Sequence, residues 1–336
     1  MSRALLPTRI SRRLGGRREP PSPGRAAYDE ASSEYERHVG AAWGRRETAI
    51  RSWWQSPVIV GEVRRRITGD PCVRVEEYFR DRHCPEPLGR GLSLGAGGGQ
   101  LERSMLELGV CEEILGIDIS EQRVEWANEA IPRSLSGRLS FERHNLETWR
   151  PDGQFDFLIA KEVLHHITRL EPLCESLQTL LRPGSLLYID EYVGPARFQW
   201  TDKQLEVIAR LLDRLSPSLV ADLVEPSTGP RRHADRPSVE SMIAADPSES
   251  ARSDEIMGIL DAHFDLVERR PYGGAVFHQL FNRIMGNFQG SDDLVRTLME
   301  IDFLLCDEGV LETNYEWAVY RTPTANRLTR NDWSNS

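Results

Sequence analysis

The feature that most restricts the fold of this chain is a rhythm between residues 88 and 192. Short apolar runs ("GLSLG", "EILGID", "LSFERH", "FDFLIA", "SLLYIDEYV") alternate there with amphipathic segments. Strands and helices in alternation imply a parallel sheet covered on both faces, because parallel neighbours cannot be joined by a tight turn and need a helical crossover. A ligand of such a sheet binds at the carboxyl ends of its strands. "GQLERSMLELG" reads as a helix stopped by Gly109, and "VLHHITRLEPLCESLQTLLRPG" as one long helix that begins at two histidines and ends at Pro183-Gly184.

The first strand runs into "LSLGAGGGQLE", residues 92 to 102, which sets Gly95, Gly97 and Gly99 in a strand-to-helix turn. Glycines there let a ligand approach the backbone and the amides that open a helix. A phosphate-binding P-loop needs a lysine after the glycines, and none follows. A dinucleotide fingerprint needs a small residue at position 100, which is Gln100. The next strand ends in Asp118, a carboxylate placed to accept both hydroxyls of a ribose.

Taken in order, "LSLGAGGG", "ILGIDIS", "ERHNLE", "FDFLIAKEVLHHI" and "LLRPGSLLYIDEY" resemble the motifs of class I S-adenosylmethionine-dependent methyltransferases over roughly residues 28 to 195. "AYDEASSEY", with Tyr28 and Tyr35, is similar to the N-terminal helix that closes over the cofactor in many members. The resemblance implies a doubly wound, seven-stranded, mostly parallel α/β sheet of Rossmann-like form with a reversed last strand. It also implies S-adenosylmethionine as cofactor and S-adenosylhomocysteine as product. By position, Gly95, Ala96, Gly97 and Gly99 would line the methionine and ribose portion, and Asp118 would bind the ribose. Ile119 would pack on the adenine, Asn145 and Leu146 would meet its edge, and Lys161 and Glu162 would begin the floor of the transfer site. One departure stands out: many members carry an acid two residues before the first glycine, and this chain has Ser93.

A methyl sulfonium is already activated, so the protein has mainly to align the acceptor and take its proton. His165 and His166 after the fourth strand, with Asp190 and Glu191 at the end of the fifth, are the candidate bases; His166, Glu191 and His165 are the catalytic expectation. Helical spacing turns adjacent residues about 100° apart, which would aim only one histidine at the pocket. Tyr28, Tyr35, Tyr192, Arg197, Trp200 and His278 are the expected acceptor contacts. The histidine pair has no third ligand at a recognisable spacing, and no metal is expected.

Seven arginines against Glu19 give residues 1 to 27 a charge of +6, which leaves −16 on the rest of a chain whose net charge is −10. An acidic body repels phosphate backbones, so a small-molecule or sugar-like acceptor is expected at oxygen or nitrogen, and no nucleic acid. The arginine-rich start reads as a disordered tail. Its lack of acids before Glu19 also resembles an organellar transit peptide, without the amphipathic period of one. Five scattered cysteines without a CxxC pair suit a reducing, cytoplasmic setting, and no apolar stretch is long enough for a membrane. A monomer or homodimer is expected.

The chain divides into a tail (1–27), a helical cap (28–87), the cofactor-binding core (88–195), an acceptor-side helical insertion (196–263), the last strands with a helical insertion (264–325) and a flexible end (326–336). Three other readings stay open: a non-catalytic S-adenosyl-ligand-binding or partner protein, a protein-modifying methyltransferase, and an NAD-dependent oxidoreductase, against which Gln100 argues.

Overall fold

Three helices precede the first strand in the computed structural model, which describes residues 33–43, 53–149 and 153–324. They are α1 (Ser33–Trp43), α2 (Pro57–Thr68) and α3 (Val75–His83). The bounds of α2 follow from its ends. The Ser56 hydroxyl accepts from the Ile59 N–H, Pro57 supplies a preset φ in the first turn, and Gly69 closes the helix at a φ of 90°.

The alternating region then gives β1 (Leu88–Leu94), α4 (Gln100–Glu107), β2 (Cys111–Asp118), α5 (Glu121–Glu129), β3 (Leu139–Arg143), β4 (Phe155–Lys161), α6 (Leu170–Leu180) and β5 (Leu181–Tyr192). After it come α7 (Asp202–Arg214), α8 (Val239–Ala245), α9 (Ile256–His263), β6 (Asp265–Pro271), α10 (Phe277–Leu280), α11 (Asp292–Asp307) and β7 (Tyr315–Arg321).

The strands form one seven-stranded sheet in the order β3-β2-β1-β4-β5-β7-β6. Neighbours among β1 to β5 run parallel, whereas β7 lies antiparallel to both β5 and β6. The parallel part is what the alternation implied, and the seven strands with a reversed last one are what the resemblance implied. β4 and β5 each hold a continuous buried apolar stretch, Phe157 to Ala160 and Leu186 to Ile189, because helices cover both their faces. On one face Phe79 of α3 stacks on Phe157 (5.4 Å between ring centres) and meets Tyr188 edge-on at 5.3 Å. On the other, α6 and α9 pack over Leu158, Leu187 and Ile189.

One expected element differs. The long helix from the histidines does not form: Leu164–His166 is a single tight turn, and α6 starts only at Leu170. Two buried carboxylates take the amides a helix would have used. Glu191 accepts from the N–H groups of Val163 and Leu164 at 2.6 Å each. Glu147 accepts from those of Thr168 and Arg169 at 2.6 and 3.2 Å. The helix also ends earlier than Pro183-Gly184, since Leu181 already belongs to β5. Among the described residues no helix is long and apolar enough to cross a membrane.

Candidate active site

A cavity of about 710 Å³ opens where β1, β2, β4 and β5 end, bordered on its far side by Trp53, Val63 and Ile67. That volume is in the range of small-molecule sites. Gly95, Gly97 and Gly99 all have left-handed φ values, of 59°, 55° and 73°. At Gly95 a Cβ would overlap Val163, and at Gly99 it would overlap Phe141. The side chains excluded at these two positions thus make way for the protein's own packing. Gly95, Ala96 and Gly97 border the cavity together with Gly98. Gly99 stands behind them and opens α4.

Asp118 fixes this loop to the end of β2. One carboxylate oxygen accepts from the Gly97 N–H at 2.9 Å and the other from the Ser120 N–H at 2.8 Å. Burial raises the Asp118 carboxyl above its usual range, against these two bonds. Each carboxylate oxygen keeps a second lone pair, so the group can still accept from a ligand's hydroxyls. Ile119, Asn145 and Leu146 continue the same wall. The Asn145 side-chain oxygen accepts from the Glu147 N–H at 3.0 Å, which sets the turn that carries Leu146.

At the floor, Lys161 is ion-paired with Asp190, whose other oxygen accepts from the Tyr272 hydroxyl at 2.7 Å. Burial works against the Lys161 charge, but Asp190 and Glu162 outweigh it and hold the ammonium protonated. Glu162 borders the cavity with a left-handed φ of 52°, a conformation costly for a residue with a Cβ and concentrated at functional sites. Its carboxyl is pushed up to about 8, chiefly by burial and, against the nearby His165, by Glu191 and Asp190.

Both histidines border the cavity, because a tight turn replaces the expected helix. Their rings lie 4.2 Å apart. His165 Nδ1 is 2.8 Å from Glu191 Oε2, and Glu191 is wholly buried. Burial opposes the charge on His165, yet Glu191 brings its pKa up to about 9. His166 moves well below its ordinary value, through burial first and the neighbouring His165 second. Its Nδ1 stands 3.0 Å from the Ser248 hydroxyl, which donates to Asp246 at 2.6 Å. With that proton committed, His166 Nδ1 is the donor, a tautomer assigned from the network. Among the described residues, His165, His166 and Glu249 bring one ligand-type atom each to within 4.8 Å of one another. The fold makes this convergence; the sequence spacing gave no sign of it.

The expected acceptor contacts fall elsewhere. Tyr28 lies outside the described residues, and Tyr35 is buried in α1, which reaches the cavity through Val39. Tyr192, Trp200 and His278 form an aromatic cluster behind His165, with the Tyr192 ring 6.0 Å from Trp200, 5.8 Å from His278 and 6.2 Å from His165. Tyr192 donates to the Pro195 carbonyl and His278 Nδ1 meets the Tyr315 hydroxyl. Arg197 donates to the carbonyls of Pro247 and Glu249, tying down the loop that carries Ser248 and Glu249. Trp53, Tyr188, Tyr272 and Glu102 border the cavity instead. Sequence reasoning had a signal only for Glu102, the vacancy at Ser93.

Residues 92–189 match the family model described as a methyltransferase domain. Over 117 residues the chain is 28% identical to a ubiquinone biosynthesis O-methyltransferase of Sinorhizobium fredii, which covers 34% of this chain and 46% of that protein. Over 134 residues it is 31% identical to a protein of the same name from Xanthomonas axonopodis pv. citri, covering 38% and 54%. The chain spans about half the length of the curated relatives it matches. A solved S-adenosylmethionine-dependent methyltransferase from Mesorhizobium loti aligns with 70% of this chain and 91% of its own at 16% identity, with a TM-score of 0.42. The matched methyltransferase domain begins on the strand that carries the glycines and ends one residue before Asp190, so the likeness covers the cofactor side of the cavity.

Proposed function

We propose that the chain transfers a methyl group from S-adenosylmethionine to a hydroxyl of a small, largely apolar acceptor. The observation that carries this reading is the His165–Glu191 pair at the cavity wall, a basic imidazole oriented by a buried carboxylate beside the glycine loop. The names of the relatives, O-methyltransferases of ubiquinone biosynthesis, support oxygen as the methylated atom.

Bound S-adenosylmethionine supplies a methyl on a sulfonium and leaves as S-adenosylhomocysteine, the sulfur keeping the electron pair of the broken C–S bond. The chain's own residues do the rest. Gly95 to Gly97, Asp118 and Asn145 hold the nucleoside side, while Trp53, Val63, Ile67, Tyr188 and Tyr272 offer an apolar, aromatic surface to the acceptor. The acceptor's proton passes to His165 Nε2, and Glu191 stabilises the imidazolium through Nδ1–H. In this scheme Glu191 positions the base. Tyr192, Trp200, His278 and Arg197 support His165 and the 246–250 loop from behind. His166, anchored on Ser248, orients the acceptor.

Turnover of a panel of small phenols and catechols with labelled S-adenosylmethionine tests the reading. Labelled ether product from wild type that His165→Ala loses is expected; transfer to nitrogen substrates alone would contradict it.

A further inference from the structure

Ser93 leaves the place of the acid that the resemblance expects two residues before Gly95 without a charge. The structure refills it from another element. Glu102, on the first turn of α4, points back at β1, and its Oε1 accepts from the Ser93 hydroxyl at 2.6 Å. Its carboxylate therefore occupies the space that a longer acidic side chain at position 93 would reach. Ser93 and Glu102 both border the cavity beside Gly95 and Gly97. The other oxygen, Glu102 Oε2, is buried and has no hydrogen-bond partner.

A buried carboxylate with one oxygen unsatisfied is costly unless something completes it. Glu102 is 2% exposed, and burial pushes its carboxyl up to about 7, against the bond from Ser93. The terminal torsion of a glutamate is soft, so a small rotation presents Oε2 to the cavity. A hydrogen-bond donor arriving beside the glycine loop would satisfy it, and a cationic one would also offset the buried charge. The ligand proposed above carries such a group, the α-ammonium of its amino-acid end.

We propose that Glu102, held by Ser93, is the carboxylate that recognises the α-ammonium of the S-adenosyl ligand, in place of an acid on β1. Ser93 then acts as a positioning residue, and the charge comes from α4. The inference rests on the S-adenosyl reading of the cavity.

Calorimetric titration separates the two. The probes are S-adenosylhomocysteine and its analogue lacking only the amino group, 5′-S-(3-carboxypropyl)-5′-thioadenosine. Wild type, Glu102→Gln and the double variant Ser93→Asp/Glu102→Gln are compared. Glu102→Gln should weaken S-adenosylhomocysteine about tenfold or more, the range for a lost charge-assisted bond, and leave the analogue unchanged. The double variant should recover most of the loss by returning a carboxylate to β1. Equal weakening of both ligands would overturn the proposal in favour of a purely structural Glu102, and so would no weakening of either. Wild type that binds neither ligand would bring down the S-adenosyl reading itself, a result distinct from both.

Discussion

His165 Nδ1 lies 2.8 Å from Glu191 Oε2, and the same carboxylate accepts the N–H groups of Val163 and Leu164 through Oε1. One buried side chain thus shapes the turn after β4 and sets the basicity of the imidazole on it. Because Glu191 raises the His165 pKa, to about 9, the basic form is gained as pH rises through that value. Wild-type kcat/KM should climb on the alkaline side. Glu191→Gln removes the charge, so the limb should move to lower pH while the plateau falls about 100-fold, with cofactor affinity kept. An unmoved limb in the pH–rate profile would separate Glu191 from the base.

Asp118→Ala should weaken binding of both S-adenosylmethionine and S-adenosylhomocysteine by about 1.5 to 3 kcal/mol, the range for hydrogen bonds to a charged group. Part of this loss comes through the loop, since Asp118 also holds the Gly97 N–H. Equal affinity in calorimetry would remove Asp118 from the site.

Glu268 on β6 fastens α3 to the far edge of the sheet. Burial opposes its charge, but bonds from Tyr78, Arg270, His83 and Arg82 outweigh this and bring the carboxyl down to about 2. A lowered folded-state pKa contributes stability that is present above the unfolded value and lost as pH falls through the folded one. Glu268→Gln should cost about 1 to 2 kcal/mol near neutrality, after allowance for solvent screening, and the gap should close between about pH 4 and pH 2. Urea unfolding across that range reads it; a gap that persists at pH 2 would assign the loss to packing.

Turnover should be unchanged by EDTA. His165 and His166 each have one ring nitrogen committed, to Glu191 and Ser248, and Glu249 Oε1 already receives the Ser250 hydroxyl at 2.9 Å. Loss of activity on chelation, restored by a divalent ion, would turn the His165–His166–Glu249 group into a metal centre.

The sheet was legible in the sequence because its evidence is local: apolar runs of strand length, glycine stops and a carboxylate at the end of β2. The cofactor wall was legible for the same reason, as Gly95, Asp118 and Leu146 each stand at or shortly after the end of a strand. The acceptor side was not. Trp53 and Tyr272 stand far apart in the chain and border one cavity only in the folded protein. The turn at the histidines was not legible because the carboxylates that capture the amides on either side of them, Glu191 at Val163 and Leu164 and Glu147 at Thr168 and Arg169, come from other segments. Tyr192, Trp200 and His278 looked like acceptor contacts from their chemistry, yet the largest aromatic side chains near a site are also what its supporting core is built from.

The site chemistry described above depends on an S-adenosyl ligand binding in the cavity beside the glycine loop. The most direct test is parallel calorimetric titration of the full chain with S-adenosylmethionine, S-adenosylhomocysteine and NAD. Micromolar binding of the two adenosyl ligands with none for NAD is the predicted result, whereas binding of NAD alone, or of none of the three, would contradict the account.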